Sequence, residues 1–390
     1  MSVDAYSRPE PSFRSELTCV TRGTPMGELL RRYWHPVGLS SDAAAQPTMV
    51  RVLGEDLVLF RDRSGRAGLV YPRCAHRGAS LYYGRTEERG IRCCYHGWLF
   101  DVEGQCLEQP FVTNRGSLSV VRQPAYPLQE RYGLIFAYLG PPAKRPLLPR
   151  YNLLEQLAPG EHIEADDSSI GSGGPAIVPC NWLQHYENVM DPYHVAVLHS
   201  SFSGVQFSEQ MKLVPQVRFE NASYGVRSIQ LRDLGDRKVH QRVTEVVLPT
   251  IRAVANPRAE QAGRCSLLGW VLPIDDTNFR IYSAGRVRSP GELGSGRSRF
   301  NGKAWTELTP EEHQRMPGDY EAQVGQGPIS FHSEEHLVST DRGISMLRAM
   351  LQRQVEIVAQ GGDPVGVAFE GASDLVELAA GTEVREAVCD

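Results

Sequence analysis

Two short motifs with metal-ligand spacing constrain this chain more than any other feature. The first is Cys74-Ala-His76, and the second is Cys93-x-x-His96. Together they present two thiolates and two imidazoles from two separate stretches of chain. Soft thiolates suit iron–sulfur clusters, and imidazole also binds iron. We therefore predict that these two stretches form loops that close around a buried metal centre.

The order of the four ligands bears on the kind of metal site. Two cysteines on one iron and two histidines on the other make a [2Fe-2S] centre of the Rieske type. The alternative is a structural zinc site, because two cysteines and two histidines also fit zinc. Here each histidine follows a cysteine, and residues 95–98 lead into a strand-like segment instead of a finger helix. These observations favour the iron–sulfur cluster and leave zinc as the alternative.

A second ligand-rich segment occupies residues 181–199. At helical spacing, Glu187, Asp191 and His194 fall along one face, and His199 follows five residues after His194. A widened turn or a helix end would bring both imidazoles to one ion. Two histidines and a carboxylate on one face of Fe(II) leave the opposite face open, which is the facial triad of non-haem iron enzymes. The segment therefore predicts a mononuclear iron site.

The alternative interpretation of this segment is an ordinary solvated helix face, which is typical of acidic helices that carry histidine. The segment is apolar overall, however, so charged groups buried in it without partners would be costly. The third iron ligand is expected from elsewhere in the chain. The carboxylate candidates are Asp319, Glu321, Glu334, Glu335 and Asp341.

The sequence around the four cluster ligands resembles the Rieske signature of ring-hydroxylating oxygenases. The matching stretches are residues 74–78 (Cys-Ala-His-Arg-Gly) and 93–98 (Cys-Cys-Tyr-His-Gly-Trp). Spacing alone leaves open which of the adjacent Cys93 and Cys94 is the ligand. The resemblance implies Cys93, together with Cys74 and the two histidines.

Residues 187–199 resemble the Glu-Asn-x-x-Asp-x-x-His-x-x-x-x-His pattern of the large subunits of Rieske non-haem iron oxygenases. The resemblance implies that His194 and His199 bind the iron. It also implies that Asp191 bridges one subunit's Rieske histidine and a neighbour's iron-binding histidine. A carboxylate can accept from the outer N–H of both imidazoles and so orient them. We expect Asp191 and Asn188 to take part in catalysis.

Residues 318–343 resemble the C-terminal region of the phthalate 4,5-dioxygenase-like branch of this family. The resemblance implies that Asp319, upstream of a Gly-Gln-Gly-Pro-Ile segment at 325–329, is the third iron ligand. The chain departs from the pattern in one respect, because the usual glutamate five residues after that aspartate is Val324 here.

Bulk composition restricts the classes of partner. With 390 residues, the chain is long enough for two domains with their own cores. Its formal net charge of -5 does not favour nucleic acid or an anionic membrane. No apolar run reaches the length of a membrane span, no secretory signal is visible, and the cysteines are too sparse for a disulfide scaffold. A cytoplasmic location is expected.

The order of strand-like and helix-like segments predicts an α+β fold. Short strands rich in turn residues, such as a hairpin over 48–62 with its turn at 54–56, indicate a small all-β domain in the first half. The proline-rich segment 141–149 is the predicted linker. We therefore predict a Rieske [2Fe-2S] domain with an N-terminal extension at 1–150 and a mononuclear non-haem iron catalytic domain at 151–390.

In the second half, helices are predicted at 182–198 and 341–360, with strands between them. Residues from about 367 onward are expected to fray. The resemblance implies that this half is a helix-grip domain with a curved antiparallel sheet.

The resemblance also implies the reaction. The chain would be the terminal oxygenase of a multicomponent system that uses O2 and electrons from NAD(P)H. Those electrons would come through a separate reductase, with or without a ferredoxin, because no Gly-x-Gly-x-x-Gly segment opens a helix here. Members of this branch are usually oligomers of one subunit type, often head-to-tail trimers in which each cluster lies beside a neighbour's iron. We therefore expect a homotrimer.

The expected substrate is a small aromatic molecule, most simply a carboxylated one. It would be hydroxylated, oxidatively demethylated or cleaved at an ether. Arg252 and Arg280 are candidate partners for its carboxylate. Candidate apolar pocket residues are Val195, Val197, Phe202, Phe207, Val246 and Leu248. For any one of them, plain core packing is the simpler interpretation.

The alternative function is an electron-transfer Rieske protein without oxygen chemistry. Respiratory Rieske proteins carry a disulfide between their two ligand loops. The corresponding positions are Ala79 and Tyr95 here, so this chain cannot form it. That difference favours the oxygenase branch.

Overall fold

The computed structural model describes residues 8–43, 46–112, 120–167, 175–257, 259–295 and 303–386. Helices and antiparallel sheets are segregated along the chain, without alternating βαβ units. The predicted α+β class is therefore confirmed. The α-helices are α1 Ser15–Thr18, α2 Pro25–Leu30, α3 Asn152–Glu155, α4 Trp182–Asn188, α5 His194–Ala196, α6 Glu292–Ser295, α7 Pro310–Arg315, α8 Asp319–Val324 and α9 Arg342–Ala359.

The first half of the chain contains eleven described strands in three small antiparallel sheets. Their orders are β1-β11-β10, β2-β3-β4-β9 and β5-β6-β7-β8. The strands are β1 Trp34–Leu39, β2 Thr48–Val52, β3 Glu55–Arg61, β4 Ala67–Val70, β5 Arg85–Glu87, β6 Gly90–Arg92, β7 Leu99–Phe100, β8 Cys106–Glu108, β9 Ala125–Tyr126, β10 Leu128–Arg131 and β11 Leu134–Tyr138.

The predicted first hairpin is confirmed as β2 and β3, although its turn lies at Leu53 and Gly54, one residue earlier than the sequence indicated. The loop from β4 to β5 contains the first ligand motif. The tight turn from β6 to β7 contains the second. Both ligand motifs therefore lie at the ends of strands that pack on a shared apolar cluster formed by residues such as Phe60, Val70 and Ile91.

The second half is built on one curved antiparallel sheet of nine described strands. Its central order is β13-β20-β19-β17-β16-β15-β14, and β22 joins β16 and β18 beside this path. A separate parallel pair joins β12 to β21. The strands are β12 Arg150–Tyr151, β13 His162–Asp166, β14 Gln216–Ala222, β15 Gly225–Gly235, β16 Lys238–Val247, β17 Ile251–Ala253, β18 Gly263–Arg264, β19 Leu267–Asp275, β20 Asn278–Val287, β21 Leu375–Val376 and β22 Gly381–Glu386.

The long terminal helix α9 packs across this sheet, against β14 and β15, and also touches α1, α2 and α4. Its predicted apolar face is present, because Leu347 and Leu351 are fully buried. The helix-grip arrangement implied by the family resemblance is therefore confirmed. Near-complete burial of these leucines contributes roughly 1.5–3 kcal/mol each.

One large apolar core joins the two halves of the chain. The ring of Phe136 on β11 lies 5.6 Å from that of Trp270 on β19, and Leu17 and Trp34 belong to the same cluster. The proline-rich segment ends directly before β12, which pairs with β21 far along the chain. The domain boundary near residue 150 stays a prediction.

Two expectations about the second half were wrong. The helix predicted at 182–198 is broken after Asn188, because Pro192 has no N–H for the carbonyl of Asn188 and disfavours helical backbone at Asp191. Residues 367–386 do not all fray as expected, because β22 pairs with residues 238–243 of β16 and extends the sheet. Short-range sequence patterns carry no signal for that long-range pairing.

None of the helices in the described ranges combines the length and apolarity that crossing a lipid bilayer requires.

Candidate active site

The two loops with the cysteine and histidine motifs have the same backbone design. In the first loop, the N–H of Gly78 donates to the carbonyl of Cys74 at 2.8 Å, and in the second, Gly97 donates to Cys93 at 3.1 Å. Both glycines have positive φ, +76° and +71°. That conformation costs other residues energy, so glycine permits each tight turn.

The four predicted cluster ligands lie together at the tips of these loops. Cys74 and Cys93 are buried, whereas His76 and His96 are half-buried with ring centroids 4.6 Å apart. Cys94 is exposed, so Cys93 is the cysteine of the adjacent pair that faces Cys74. Burial, followed by the nearby Cys93, raises the pKa of the Cys74 thiol to about 11. Two buried thiols beside two imidazoles fit a cation-containing cluster, because iron would stabilise both thiolates.

Residues outside the motifs fix the two loops. The side chain of Gln123 accepts from the N–H of Ala75 at 2.7 Å and donates to the carbonyl of Tyr71 at 2.7 Å. Arg92 donates to the carbonyl of Gly97 at 2.6 Å while pairing with Glu87. Neither residue belongs to a ligand motif, so the sequence alone does not identify its role.

The predicted iron ligands also come together. One donor atom each from His194, His199 and Asp319 lies within 4.8 Å of the others. Asp319 Oδ1 is 3.1 Å from His199 Nε2 and 3.6 Å from His194 Nε2. His194 begins α5, His199 lies in the π-helix Val197–Phe202, and Asp319 begins α8. The widened π-helical turn explains how histidines five residues apart reach one point.

The other carboxylates considered as third ligands have partners elsewhere. Glu321 accepts from Trp305 and His313, each at 2.7 Å. Glu334 pairs with Arg8, Glu335 pairs with Arg348, and Asp341 accepts from the N–H of Val338. Among the five candidates, only Asp319 lies beside both histidines.

The pKa shifts of Asp319 and His194 suit a cation, whereas the charge and hydrogen bond of Asp319 raise the pKa of His199 against the effect of its burial. Burial alone would raise the pKa of Asp319, but the charge and hydrogen bond of His199, followed by His194, hold it well below its ordinary range. Burial lowers the pKa of His194 although Asp319 and Asp191 oppose that effect. An ionised carboxylate beside a neutral imidazole is the state in which both groups donate electron pairs to a metal.

Both histidines turn the same ring nitrogen toward the site. His199 Nδ1 donates to Gln206 Oε1 at 2.7 Å, and His194 Nδ1 contacts the backbone carbonyl of Asp191. Nε2 of each ring therefore points to Asp319. Partners of this kind fix the tautomer and direction of ligand imidazoles. Gln206 lies in a loop without a motif, so its role could not be predicted from the sequence.

Asn188 and Asp191 border the trio in different ways. Asn188 Nδ2 donates to Asp319 Oδ1 at 3.1 Å. Asp191 Oδ2 lies 3.7 Å from His194 Nδ1, and the Asp191 side chain is 31% exposed. Within the described part of the chain, no hydrogen bond or ion pair joins this region to the cluster loops. A carboxylate that borders a predicted iron ligand and also faces solvent can contact another molecule.

A cavity of about 850 Å³ opens beside the trio, over the inner face of the large sheet. Val195 and Phe207 line it as expected, whereas Val197 and Phe202 are exposed and Val246 and Leu248 belong to the apolar core. These four residues were considered for the wall because they are apolar. Apolarity alone does not distinguish a core position or an exposed position from a pocket wall. The volume falls within the range of ligand pockets, roughly 300–1,000 Å³.

The polar side of the cavity contains three arginines, Arg242, Arg252 and Arg286. Arg280, the other arginine considered from the sequence, instead pairs with Asp167 at 2.7 Å and lies over the ring of Tyr282. His185 also lines the cavity and hydrogen-bonds to Gln323. The position of Arg242 in the cavity could have been predicted from the sequence, because polar residues recur at every second position of β16 and successive side chains of a strand point to opposite faces.

Comparison with known proteins adds two kinds of finding. The Rieske [2Fe-2S] domain profile matches residues 33–127. The chain is 50% identical over 379 residues to the phenoxybenzoate dioxygenase subunit alpha of Ectopseudomonas oleovorans, an alignment covering 96% of this chain and 91% of that protein. It is 37% identical to the tert-butanol monooxygenase / tert-amyl alcohol desaturase oxygenase subunit of Aquincola tertiaricarbonis, covering 88% of this chain and 77% of that protein.

The phthalate 4,5-dioxygenase oxygenase subunit of Pseudomonas putida is 34% identical, with 68% of this chain and 62% of that protein covered. Among solved structures, NdmA of Pseudomonas putida CBB5 with caffeine superposes with a TM-score of 0.63 at 19% identity, covering 87% of this chain and 94% of that one. The structural likeness supports the fold, and the sequence likeness extends from end to end.

Proposed function

Because this chain belongs to the large subunits of the Rieske non-haem iron oxygenases, we propose that its two ligand sets hold a [2Fe-2S] cluster and one Fe(II) ion. Cys74, His76, Cys93 and His96 would hold the cluster, and His194, His199 and Asp319 the iron. The convergence of His194, His199 and Asp319 carries this proposal, since three donors within 4.8 Å of one another match a facial triad.

The chain's own residues have distinct tasks around these groups. When bound, the cluster supplies single electrons and Fe(II) binds O2 for transfer of oxygen to a substrate. Gln206 and the Asp191 carbonyl hold the two imidazoles in one tautomer. The hydrogen bond from Asn188 orients the Asp319 carboxylate. The adjacent cavity holds the substrate beside the open side of the triad and limits its contact with water.

Electrons reach the cluster from outside, because the chain is the oxygenase component of a multicomponent system. We propose that an NAD(P)H-dependent reductase supplies them and that Asp191 carries the link between centres in a head-to-tail homotrimer. The exposed carboxylate of Asp191 beside His194 supports this arrangement, as do the half-buried His76 and His96 at the loop tips. A ring of heterologous contacts would bring one protomer's cluster to its neighbour's iron. A cytoplasmic location is part of the same proposal.

The proposed substrate is an aromatic acid, which is hydroxylated or cleaved at an ether. Relatives named for phenoxybenzoate and phthalate act on carboxylated aromatic molecules. The cavity of about 850 Å³ also favours such a molecule over a small tertiary alcohol, which would leave most of this space unfilled.

His194→Ala tests the oxygenase function. The variant is expected to keep the visible spectrum of the cluster and to lose reductase-coupled product formation, because one of three iron ligands is gone. Product at the wild-type rate from this variant would reject the assignment of the iron site. Loss of the cluster spectrum as well would reject the separation of the two ligand sets.

A further inference from the structure

Arg252 has no partner for its charge in the described part of the chain. It lies on β17 and lines the cavity, and its Nε is buried without a hydrogen bond. No described carboxylate oxygen approaches its guanidinium within the 4.0 Å of an ion pair. Arg252 is half-buried, and a guanidinium in such a place with neither a hydrogen bond nor an ion-pair partner loses hydration without replacement, so its environment indicates a missing anion.

The fold makes room for this side chain. Gly269 on β19 is the cross-strand partner of Arg252, and a Cβ there would lie 2.8 Å from Arg252 Nε and 3.1 Å from its Cγ. The arginine therefore lies flat across Gly269. The next residue along this row is Ser283 on β20, whose buried Oγ has no hydrogen-bond partner either. Two unpaired donors thus lie along one row of the cavity wall.

A second arginine adds positive charge nearby. Arg242 on β16 is 7% exposed, and its Nε donates to the carbonyl of Ala255 at 2.9 Å. Its terminal nitrogens make no hydrogen bond to a described residue. Burial, with a contribution from the positive charge of Arg232, lowers the pKa of Arg242 to about 10. Thr244, two residues along the same face, has a buried hydroxyl without a partner.

The other charged residues of the cavity wall have partners of their own. Asp191 accepts from the N–H of Tyr193 at 3.0 Å, and Asp166 also has a partner. Arg286 pairs with Glu161 at 3.2 Å, and Glu292 accepts from the N–H of Arg288 at 2.8 Å. Asp319 belongs to the iron site, and its charge acts on Arg252 without an ion-pair contact. Arg252 therefore lies close enough to the triad for one bound molecule to touch both.

We propose that Arg252 binds the carboxylate of the aromatic acid, with Arg242 as a second positive charge and the Ser283 and Thr244 hydroxyls as neutral donors. This inference rests on the proposed function, because it assigns the anchor for a substrate of that same cavity. An arginine fork accepts a carboxylate through two parallel hydrogen bonds, which fixes direction as well as position. The anchored ring then lies between the arginines and the triad.

Calorimetric titration of the cluster-containing protein tests the anchor directly, under anaerobic conditions and without reductase. The probes are benzoate, phthalate and 3-phenoxybenzoate, each beside its methyl ester. At least one acid is expected to bind the wild-type protein about tenfold or more tightly than its ester. Arg252→Gln should weaken that acid by about 10- to 100-fold and change the ester by less than about threefold, since a charged hydrogen bond is lost only with the acid.

Two further variants separate the anchor from a structural effect. Gly269→Ala keeps the charge of Arg252 but crowds its side chain, so it should weaken the acid more than the ester. Arg280→Gln is the matched control, because Arg280 lies outside the cavity and pairs with Asp167. It should leave both affinities unchanged.

Two results would overturn the inference: equal affinity of the wild-type protein for every acid and its ester, or an equal loss for acid and ester in Arg252→Gln. Because the titration contains neither O2 nor reductase, a failure of the oxygenase function would leave these affinities unchanged. The two proposals therefore fail separately.

Discussion

Replacing Gln206 by alanine tests whether residues outside the ligand motifs set the affinity of the iron site. Gln206 Oε1 accepts from His199 Nδ1 at 2.7 Å, and His199 is only 2% exposed. Without this acceptor, a buried N–H loses its partner, which costs about 1–3 kcal/mol. Loss of such an outer partner typically weakens metal binding by about 10- to 100-fold, or roughly 1.4–2.7 kcal/mol. Only the second figure describes the change in iron affinity, because the first cost is present with or without the ion.

The assay is an anaerobic competition titration in which a chromogenic chelator competes with the protein for Fe(II). Gln206→Ala should raise the Kd for Fe(II) by about 10- to 100-fold and leave the cluster absorbance unchanged. Gln261→Ala is the matched control, because Gln261 lines the same cavity but bonds to Asn256 instead of a histidine. An unchanged Kd in Gln206→Ala, or an equal change in the control, would refute the role of this hydrogen bond.

Three further predictions concern the link between centres, the core and the cluster loops. Asp191→Ala should slow steady-state turnover while both metals are retained, and an unchanged rate would contradict the bridging role. Arg348→Met should lower the free energy of unfolding by roughly 3–5 kcal/mol in denaturant titrations. The substitution leaves the buried Glu187 carboxylate without its two hydrogen bonds from Arg348, of 2.5 and 2.7 Å. A loss under about 1 kcal/mol would contradict this prediction. The hydrogen bond from Arg92 lowers the pKa of Glu87 to about 2. The pair therefore stabilises the second cluster loop fully above about pH 4.3, and this stabilisation is lost as the pH falls through about 2. Glu87→Gln should therefore flatten the acid dependence of cluster bleaching in that window, and an unchanged profile would count against the pair.

Local motifs carried most of what could be predicted from the sequence. The ligand spacing of residues 74–96 and 187–199 requires only neighbours in the chain, and the structure brings each set to one place. The long strands of the second half also follow from their composition and turns. The π-helical widening at Val197–Phe202 was one of the two routes considered for joining His194 and His199.

Long-range features were not predictable in the same way. The break after Asn188 depended on Pro192, whose effect was outweighed in the sequence by the apolar residues on both sides. The pairing of β22 with β16 joins segments more than a hundred residues apart. Gln206 and Gln123 have their roles only because the fold brings them to His199 and the first cluster loop. The assignment of Asp319 as third ligand needed a family resemblance, since spacing left five carboxylates open.

The most direct test of two separate metal centres in one polypeptide is the iron and acid-labile sulfide content of purified, reconstituted protein. The wild-type chain should contain two cluster irons with two sulfides and one further iron, and it should be brown when oxidised. His194→Ala should lose the further iron and keep both sulfides. A colourless protein, a zinc-containing one, or a wild-type chain with no iron beyond its sulfide count would contradict the account.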